Sequence, residues 1–423
     1  MADIEDATLQ VRYDNSSQPT WNRLVLCSGA PYLSALLITV VLSQFAQYLW
    51  PTTAIFKGQN AAVVIDFVGF GIAVLLWWFY RPSDSWPPEF AWLIGAWGAL
   101  WAITIGLSVF HSDLFNLTAI LVLPILAMIW FKKPSLPAIF TAGDLFAVSL
   151  IAIAVASQLL DLVDIKDLHY EGWNRWPLLI DVIGPIGRWE GPFGNVNYAG
   201  PVGVFLLIYG LLRPSWRRAI FAVSGVVIIL ASNSRSAVLA CAVGIAVLIA
   251  VTPRLGHLRT PTWLRIAAPA AVAVAFTGYV VAIDPTLNLR TPVWETFLSQ
   301  WLTSPITGVG TTGIQAAIED GSLQAWANHG HSLAIDPLTR YGLIGFLAVV
   351  VVIVATGVIA IKAARAGFAA PVVLLATFVA GGISDNLVDW RYLGIQAVTI
   401  LLAGVLGSLW LVQERSGLPS RMR

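Results

Sequence analysis

Long apolar runs recur along most of this chain and constrain its fold more than any other feature. Twelve of them approach the roughly 20 residues that an α-helix needs to cross a bilayer core of about 30 Å. With 57% hydrophobic and only 11% charged residues, the composition is that of a polytopic membrane protein. We predict an all-α fold and a single membrane domain over residues 1–423, with about 12 transmembrane helices. The runs cover approximately 27–49, 61–80, 90–110, 114–131, 139–160, 197–212, 219–233, 236–252, 266–283, 333–361, 369–387 and 392–412.

The distribution of Lys and Arg predicts how these helices are oriented. If the N-terminus is cytoplasmic, 16 of the 24 Lys and Arg residues lie in inner segments. Both termini are then cytoplasmic, and the two long loops, 161–196 and 284–332, lie on the extracytoplasmic side. The net charge of +1 gives no indication of nucleic-acid binding, and no Gly-rich phosphate-binding motif is present.

The polar loop 284–332 is predicted to carry the chemical site, because a simple helix connection would be only a few residues long. In this loop Arg290 precedes Thr291, a suitable N-cap, and Pro292, which fits the first turn of a helix. Apolar residues then recur at helical spacing, which predicts a short amphipathic helix on the membrane surface. Arg290 would stand at the positive end of that helix and bind an anion. The alternative is a solvated Arg on an interfacial helix.

Two of the five histidines of the chain lie in the motif His329-Gly330-His331. A zinc site requires three or four ligands, and the outer loops contain no Cys, so a metal is the weaker interpretation. A neutral imidazole, with an ordinary pKa of about 6.5, suits proton transfer or hydrogen bonding to a phosphate near neutral pH. A helix-capping or solvent-facing role is the alternative. His111 is interpreted as structural.

Arg235 lies in a short turn between two apolar helices, Ser232-Asn233-Ser234-Arg235-Ser236. It can snorkel and satisfy the carbonyl groups that end the preceding helix. It can also clamp an anion, because a guanidinium offers a fixed fork of donors to phosphate oxygens. Both interpretations remain open from the sequence.

Several acidic residues compete for the role of a base. Asp336 and Asp389 can orient a His or an Arg, and Glu319-Asp320 lie within the long loop. Asp66 in the second apolar run is an intramembrane acid without an assignable partner and is a functional candidate for that reason. The three Trp residues of the other long loop can anchor it at the lipid headgroups or stack on sugar rings; they are Trp173, Trp176 and Trp189.

Four segments in chain order, between about residues 190 and 348, resemble those of one enzyme family. They are GPFGNVNYAG at 191–200, NSRSAVLA at 233–240, LRTPVWETFLSQWLTSPITGVGTTGI at 289–314 and HGHSLAIDPLTRYGLIGF at 329–346. In this order, on the predicted outer side of a twelve-helix protein, they resemble the O-antigen ligase and polysaccharide polymerase superfamily of bacterial envelope enzymes. Residues 1–189 are similar to that superfamily only in helix count and hydropathy.

The resemblance assigns the family's turn Arg to Arg235, its loop Arg to Arg290 and its essential His to His331. His329 takes the position of a less constant neighbour. The family's His is commonly followed by Asn, whereas Ser332 follows His331 here. Because neither Arg290 nor His331 is expected in a packed core, we predict that the Ala variant of each still folds.

The resemblance implies transfer of a glycan from an undecaprenyl diphosphate carrier to a hydroxyl of a lipid, glycan or protein acceptor. The reaction would occur on the outer face of the bacterial inner membrane, in contact with membrane lipid and without a metal or cofactor. Arg235 and Arg290 would stabilise the leaving pyrophosphate through charge-assisted bonds of about 1.5 to 3 kcal/mol each. His331 would accept the acceptor's proton or bind the pyrophosphate. The remaining predicted substrate contacts are Arg188, His329, Asn197 and Arg391.

Two rival functions remain. A polymerase that joins repeat units on the carrier would use the same chemistry, and no sequence feature separates it from a ligase. A secondary transporter would bind its substrate near the membrane midplane, between inverted repeats and broken helices. The chain shows no internal repeat, and its polar residues concentrate in the outer loops, which favours an enzyme.

Overall fold

The computed structural model describes residues 30–49, 58–79, 88–112, 122–132, 134–162, 189, 191–193, 196–212, 216–232, 234–251, 290–324, 327, 329–384 and 395–415, with single residues between 269 and 282. The regular secondary structure of these residues is helical and includes no strand. The predicted all-α class is therefore confirmed.

Thirteen α-helices lie in this part of the chain, together with one 3-10 turn at Gly191–Phe193. The helices are α1 (Ala30–Leu49), α2 (Gly58–Phe79), α3 (Pro88–Phe110), α4 (Val122–Lys132), α5 (Leu136–Leu162), α6 (Val196–Leu212), α7 (Trp216–Ser232), α8 (Arg235–Val251), α9 (Arg290–Thr303), α10 (Gly310–Glu319), α11 (Ile335–Arg365), α12 (Ala370–Ser384) and α13 (Ile395–Arg415).

Eleven of the twelve apolar runs contain one of these helices, in chain order α1 to α8 and α11 to α13. The ninth run, 266–283, lies mostly outside the described residues, as does the start of the fourth. Three helices combine the length and apolar composition that crossing a membrane requires: Pro88–Phe110, Leu136–Leu159 and Ile335–Arg365. These three helices indicate a membrane protein. The predicted number of twelve spans is larger than these three helices establish.

The longest helix, α11, has 31 residues and exposes an apolar stripe along one side. Five of its exposed residues follow one another at intervals of three or four, so these five share one helix face. On a helix that is long enough to cross a bilayer, such a stripe is a surface suited to lipid. Its members are Leu343, Leu347, Val351, Val354 and Val358.

Glycines allow α6 and α7 to pack with their backbones in close approach. A Cβ atom on Gly203 would lie 2.9 Å from the carbonyl oxygen of Gly225. A Cβ atom on Gly225 would in turn collide with the backbone of Gly203 and Leu207. Small residues at helix crossings are a common means of packing in membrane proteins, where the lipid offers no hydrophobic driving force between helices.

A polar cluster ties α5, α6 and α7 together near the C-terminal end of α6. Arg218 Nη2 donates to Asp144 Oδ2 at 2.8 Å, and Arg218 Nε donates to Oδ1 at 3.1 Å. The Tyr209 hydroxyl donates to Asp144 Oδ1 at 2.8 Å and lies 3.0 Å from the carbonyl oxygen of Phe140. The Arg218 side chain is 13% exposed and that of Asp144 is 39% exposed, so the cluster sits at the edge of the core.

We expect Tyr209→Phe to lower the free energy of unfolding by about 0.5 to 1.5 kcal/mol. The change removes the hydroxyl donor but keeps the ring between Phe205 and Phe221, whose ring centroids lie 5.3 and 6.2 Å away. Thermal unfolding in detergent measures the effect. In an Asp144→Ala background the same substitution should cost less, because the carboxylate acceptor is gone and only the Phe140 carbonyl is left to accept from the hydroxyl. Equal costs in both backgrounds would contradict a stabilising Tyr209–Asp144 hydrogen bond.

Candidate functional site

Within the predicted outer loop 284–332, the structure describes residues 290–324, 327 and 329–332, which contain α9 and α10. The two helices share a small apolar core, against which Ile335 at the start of α11 also packs. The segment therefore forms a compact unit that packs on the beginning of α11. The buried residues of its core are Val293, Phe297, Ile314, Ala317, Leu323 and Ala327.

Helix α9 begins at Arg290, one residue before the predicted N-cap Thr291, which lies inside the first turn. Arg290 nevertheless stands at the positive end of the helix, as expected. The helix buries Phe297 and exposes Leu298 and Leu302, so two of its sides are apolar. Its contact with a membrane surface stays a prediction.

The connection between α9 and α10 is bonded to α11 through backbone atoms. Gly342 interrupts the helical geometry of α11 with φ 63° and ψ −162°, and this frees backbone groups on either side for the connection. Gly308, in the connection, lies close to Gly342 and also has a positive φ, of 73°. The bonds run from Val309 N–H to Thr339 C=O (2.9 Å), from Leu343 N–H to Pro305 C=O (2.9 Å) and from Ile344 N–H to Ile306 C=O (3.2 Å).

His111, at the end of α3, anchors the same connection from another side. Its Nε2 atom lies 3.0 Å from the carbonyl oxygen of Thr307, and the Thr312 hydroxyl donates to the His111 carbonyl at 3.2 Å. This geometry agrees with the structural role that the sequence predicts for His111. It places the C-terminal end of α3 at the same end of the bundle as the start of α11.

The turn His329-Gly330-His331 is held on both sides of its central glycine. Trp294 Nε1 donates to the Gly330 carbonyl at 2.8 Å, and Gly330 N–H donates to Asp336 Oδ1 at 2.8 Å. The two imidazole rings meet edge to face, with centroids 3.9 Å apart. His331 has φ 44°, a left-handed conformation that is costly for a residue other than glycine and is found preferentially at functional sites.

The expectation that His331 lies outside the packed part of the protein is wrong, because the residue is only 8% exposed. The chain directly after it docks on the end of α12, where Leu333 N–H donates to Gly382 C=O at 2.7 Å. Ser332 Oγ accepts the N–H of Ala334 at 3.3 Å. Ser332 therefore stabilises the turn into α11.

Arg290 shares a helix face with the residue that holds the His turn. Arg290 and Trp294 are four residues apart on α9, and residues at this spacing lie one above the other. Since Trp294 is hydrogen-bonded to Gly330, that face of α9 borders the His329-Gly330-His331 turn. Two of the three predicted catalytic residues therefore lie on adjoining elements, Arg290 on α9 and His331 in the turn that is bonded to α9.

The third, Arg235, is the first residue of α8, so it also stands at the positive end of a helix. The turn before it is tightly packed, with Ser234 Oγ and Ser236 Oγ 3.0 Å apart and both residues buried. A Cβ atom on Gly200 would lie 2.8 Å from Ser234 Cβ. Asn197 lies in the same first turn of α6 as Gly200, so the predicted substrate residue Asn197 is close to the Arg235 turn.

The C-terminal part of α12 connects the Arg235 turn to the His turn. Leu239, one helical turn after Arg235, belongs to the same apolar cluster as Ala380 of α12. Two residues later, Gly382 accepts the backbone hydrogen bond from Leu333. Both predicted elements therefore pack against the last turns of a single helix, at one end of the bundle.

Trp189 differs from the prediction that it lies at lipid headgroups or stacks on sugars. It is buried, its ring meets that of Phe193 edge to face, and its backbone N–H donates to Ala231 C=O at 2.9 Å. Trp189 therefore belongs to the core beside the end of α7. Five other residues predicted for the outer segments lie outside the described residues; they are Arg188, Arg391, Asp389, Trp173 and Trp176.

Three of the acidic residues considered as alternative bases have defined hydrogen-bond partners. Asp320 accepts the backbone N–H of Ser322 at 2.9 Å, and its hydrogen bonds with Ser322 lower the pKa of its carboxyl group, which makes it a weaker base. Asp66, for which the sequence offers no partner, is hydrogen-bonded to the side chain of Ser43. Asp336 binds the His turn and the guanidinium of Arg340, at 3.1 Å from Nε to Oδ1.

Among the residues that the structure describes, no three His, Cys, Asp or Glu side chains are grouped as ligands of a metal. His329 and His331 are adjacent, but two imidazoles fall short of the three or four ligands of a zinc site. The independence from metal stays a prediction.

Two residues of the site, Arg340 and Trp294, are not predicted from the sequence, which singles out neither of them as a residue of the site. The spacing of Asp336 and Arg340, four residues apart, is typical of a helical ion pair and is the one available signal. Nothing local to Trp294 indicates its hydrogen bond to Gly330.

The site thus combines two Arg residues at helix N-termini with a constrained imidazole pair. Backbone N–H groups and a guanidinium at a helix N-terminus suit an anionic group such as a phosphate, and an imidazole can transfer a proton to or from a bound hydroxyl. No protein-family model and no curated protein matches this sequence.

Proposed function

We propose that the protein is a membrane glycosyltransferase of the O-antigen ligase type. It transfers a glycan from undecaprenyl diphosphate to a hydroxyl group of an acceptor on the outer face of the bacterial inner membrane. Arg235, Arg290 and His331 act on the reacting groups, and Asn197 and His329 lie beside them. The proposed topology has twelve spans with both termini in the cytoplasm, which puts the end of the bundle that carries these residues on the outer side.

The observation that supports this proposal best is the convergence of Arg290 and the His turn. Arg290 lies at the positive end of α9, and Trp294, on the same face of that helix, donates a hydrogen bond to the turn. The Arg235 turn reaches the same end of the bundle through α12. Residues from three separate segments of the resemblance therefore lie at one end of the bundle, which supports a common site for a lipid-linked pyrophosphate and an acceptor.

The reaction places distinct demands on these residues. The acceptor oxygen forms a new bond to the anomeric carbon of the sugar while the bond from that carbon to the diphosphate oxygen breaks, with inversion at the carbon. The electron pair of the broken bond goes to the diphosphate, whose growing negative charge faces Arg235 and Arg290. The proton of the acceptor hydroxyl goes to the imidazole of His331. No step requires a redox change.

Glycan transfer by the purified protein in nanodiscs tests the proposal, with an undecaprenyl diphosphate-linked oligosaccharide, a panel of acceptors and EDTA present. We expect Arg290→Gln to lower transfer by about 10- to 150-fold, which corresponds to the loss of one charge-assisted bond of about 1.5 to 3 kcal/mol. The matched control is Arg365→Gln, because Arg365 is exposed at the opposite end of α11 from the site. This control should transfer glycan at the wild-type rate.

The product distribution separates a ligase from a polymerase, since a polymerase extends the carrier-linked glycan into a ladder of repeat units. Equal activity of Arg290→Gln and Arg365→Gln would remove Arg290 from the reaction. Movement of the intact carrier-linked glycan across the bilayer, without transfer to any acceptor, would replace the enzyme by a transporter. Transfer that stops on addition of EDTA would contradict the proposed independence from metal.

A further inference from the structure

Arg340 is fully buried near the start of α11, a helix that is apolar over most of its length. Its side chain is 1% exposed and that of its partner Asp336 is 5% exposed. Arg340 Nε lies 3.1 Å from Asp336 Oδ1 and 3.3 Å from Oδ2. Burying two charges costs desolvation energy that their attraction repays only in good geometry, so a buried pair is weak evidence for a purely stabilising role.

The Asp336–Arg340 ion pair is hydrogen-bonded to both neighbouring segments, α10 and the His turn. Arg340 Nη1 donates to the Thr311 hydroxyl of α10 at 3.0 Å. Asp336 Oδ1 accepts the N–H of Gly330 at 2.8 Å. One ion pair thus fixes α10, the start of α11 and the His turn relative to one another.

The hydrogen bond from Gly330 N–H to Asp336 lies next to His331 in the chain, so it can fix the conformation of His331. The N–H that Asp336 accepts belongs to the peptide bond before Gly330, and the carbonyl that Trp294 binds belongs to the peptide bond after it. His331 follows directly and has φ 44°. A conformation of this kind persists only when surrounding contacts enforce it, and these two hydrogen bonds act on the chain immediately before His331.

We propose that Asp336 and Arg340 are a positioning pair for His331: Asp336 holds the His turn by its backbone, and Arg340 holds Asp336. This inference rests on the proposed function, in which His331 acts on the acceptor proton. Neither Asp336 nor Arg340 touches the substrate. Their effect is transmitted through Gly330 to the orientation of the imidazole.

Two double variants, both of which replace the pair without leaving a buried charge, test this role. Asp336→Asn with Arg340→Gln keeps an oxygen that can accept the Gly330 N–H. Asp336→Leu with Arg340→Met removes that oxygen, and apolar replacement of a buried ion pair is often neutral or stabilising. Both variants should unfold at temperatures close to each other. The Leu/Met variant should show a kcat about 100-fold below that of the Asn/Gln variant, the loss expected for a reacting group displaced by about 1 Å.

A second measurement is independent of activity. In protein labelled with 15N-histidine, His329→Asn and His331→Asn assign the two relevant imidazole signals among the five histidines. These signals should shift in the Leu/Met variant and stay near their wild-type positions in the Asn/Gln variant. Thr311→Val, which removes only one partner of Arg340, should shift them less and serves as the test if the Leu/Met protein does not fold.

The outcomes separate this inference from the proposed function. Equal kcat and equal histidine signals in the two double variants would overturn the positioning role, as would unchanged signals in Thr311→Val where that variant is used. If the wild-type protein transfers no glycan, the proposed function fails, and the histidine signals alone decide whether the pair positions the turn. A rise in KM for the carrier at unchanged kcat would contradict the positioning role, because it would indicate direct binding of the substrate by the pair.

Discussion

His331→Asn is expected to lower glycan transfer by about 100- to 10,000-fold, the range that a positioned general acid or base contributes. Asn suits this position because it tolerates the left-handed conformation that His331 adopts, with φ 44°. The substitution therefore removes the imidazole without adding backbone strain. Initial rates of transfer in nanodiscs, measured at several carrier and acceptor concentrations, give kcat and KM separately.

The two parameters distinguish the roles that the imidazole can play. A base for the acceptor proton acts in the transition state, so its loss lowers kcat and leaves KM for the carrier unchanged. A ligand of the pyrophosphate contributes to binding, so its loss raises that KM. His257→Asn is the matched control, since the sequence predicts an inner segment for His257. Transfer at the wild-type rate by His331→Asn would remove His331 from the mechanism.

Gly342→Ala is expected to have the largest effect on stability, about 2 to 6 kcal/mol. Its backbone, at φ 63° and ψ −162°, lies in a region that is essentially restricted to glycine and costs other residues about 1 to 3 kcal/mol. A Cβ atom there would also collide with the backbone of Ile306 and Gly308. That collision would break the hydrogen bonds from Leu343 and Ile344 to the α9–α10 connection, at about 0.5 to 1.5 kcal/mol each.

Thermal unfolding in detergent and the yield of monodisperse protein measure this loss. Gly357→Ala in the same helix is the control, because its Cβ would meet only Leu375 Cδ2 at an ordinary 3.6 Å, and Ala favours a helix over Gly. Gly321→Ala isolates the backbone strain, since Gly321 has φ 79° and open space around it. Equal unfolding temperatures for Gly342→Ala and Gly357→Ala would contradict the interlock between α11 and the connection.

The helices of this protein follow closely from its sequence. Eleven of the twelve apolar runs contain a helix in the described residues, with limits within a few residues except at the fourth run. This agreement arises because an apolar run of this length forms a helix in almost any membrane setting. The polar turn 232–236 and the polar loop 284–332 are also evident from the sequence, because polar groups between apolar helices are conspicuous.

The burial of individual residues between the helices is harder to predict from the sequence than the helices themselves. The expected exposure of His331 and the expected surface role of Trp189 were both wrong. In each case the deciding contact is made by a residue far along the chain, Gly382 for the His331 segment and Ala231 for Trp189. Residue type and spacing contain no information about such partners.

The sequence by itself determined the succession of apolar helices and the placement of Arg235, Arg290 and His331 between them, because these features depend only on the order of residue types. The tertiary structure alone decided that Asp336 and Arg340 are buried together and hold Gly330. A buried charge is stable only where its partners converge in space. Here one of those partners, Thr311, comes from a different helix, 29 residues before Arg340.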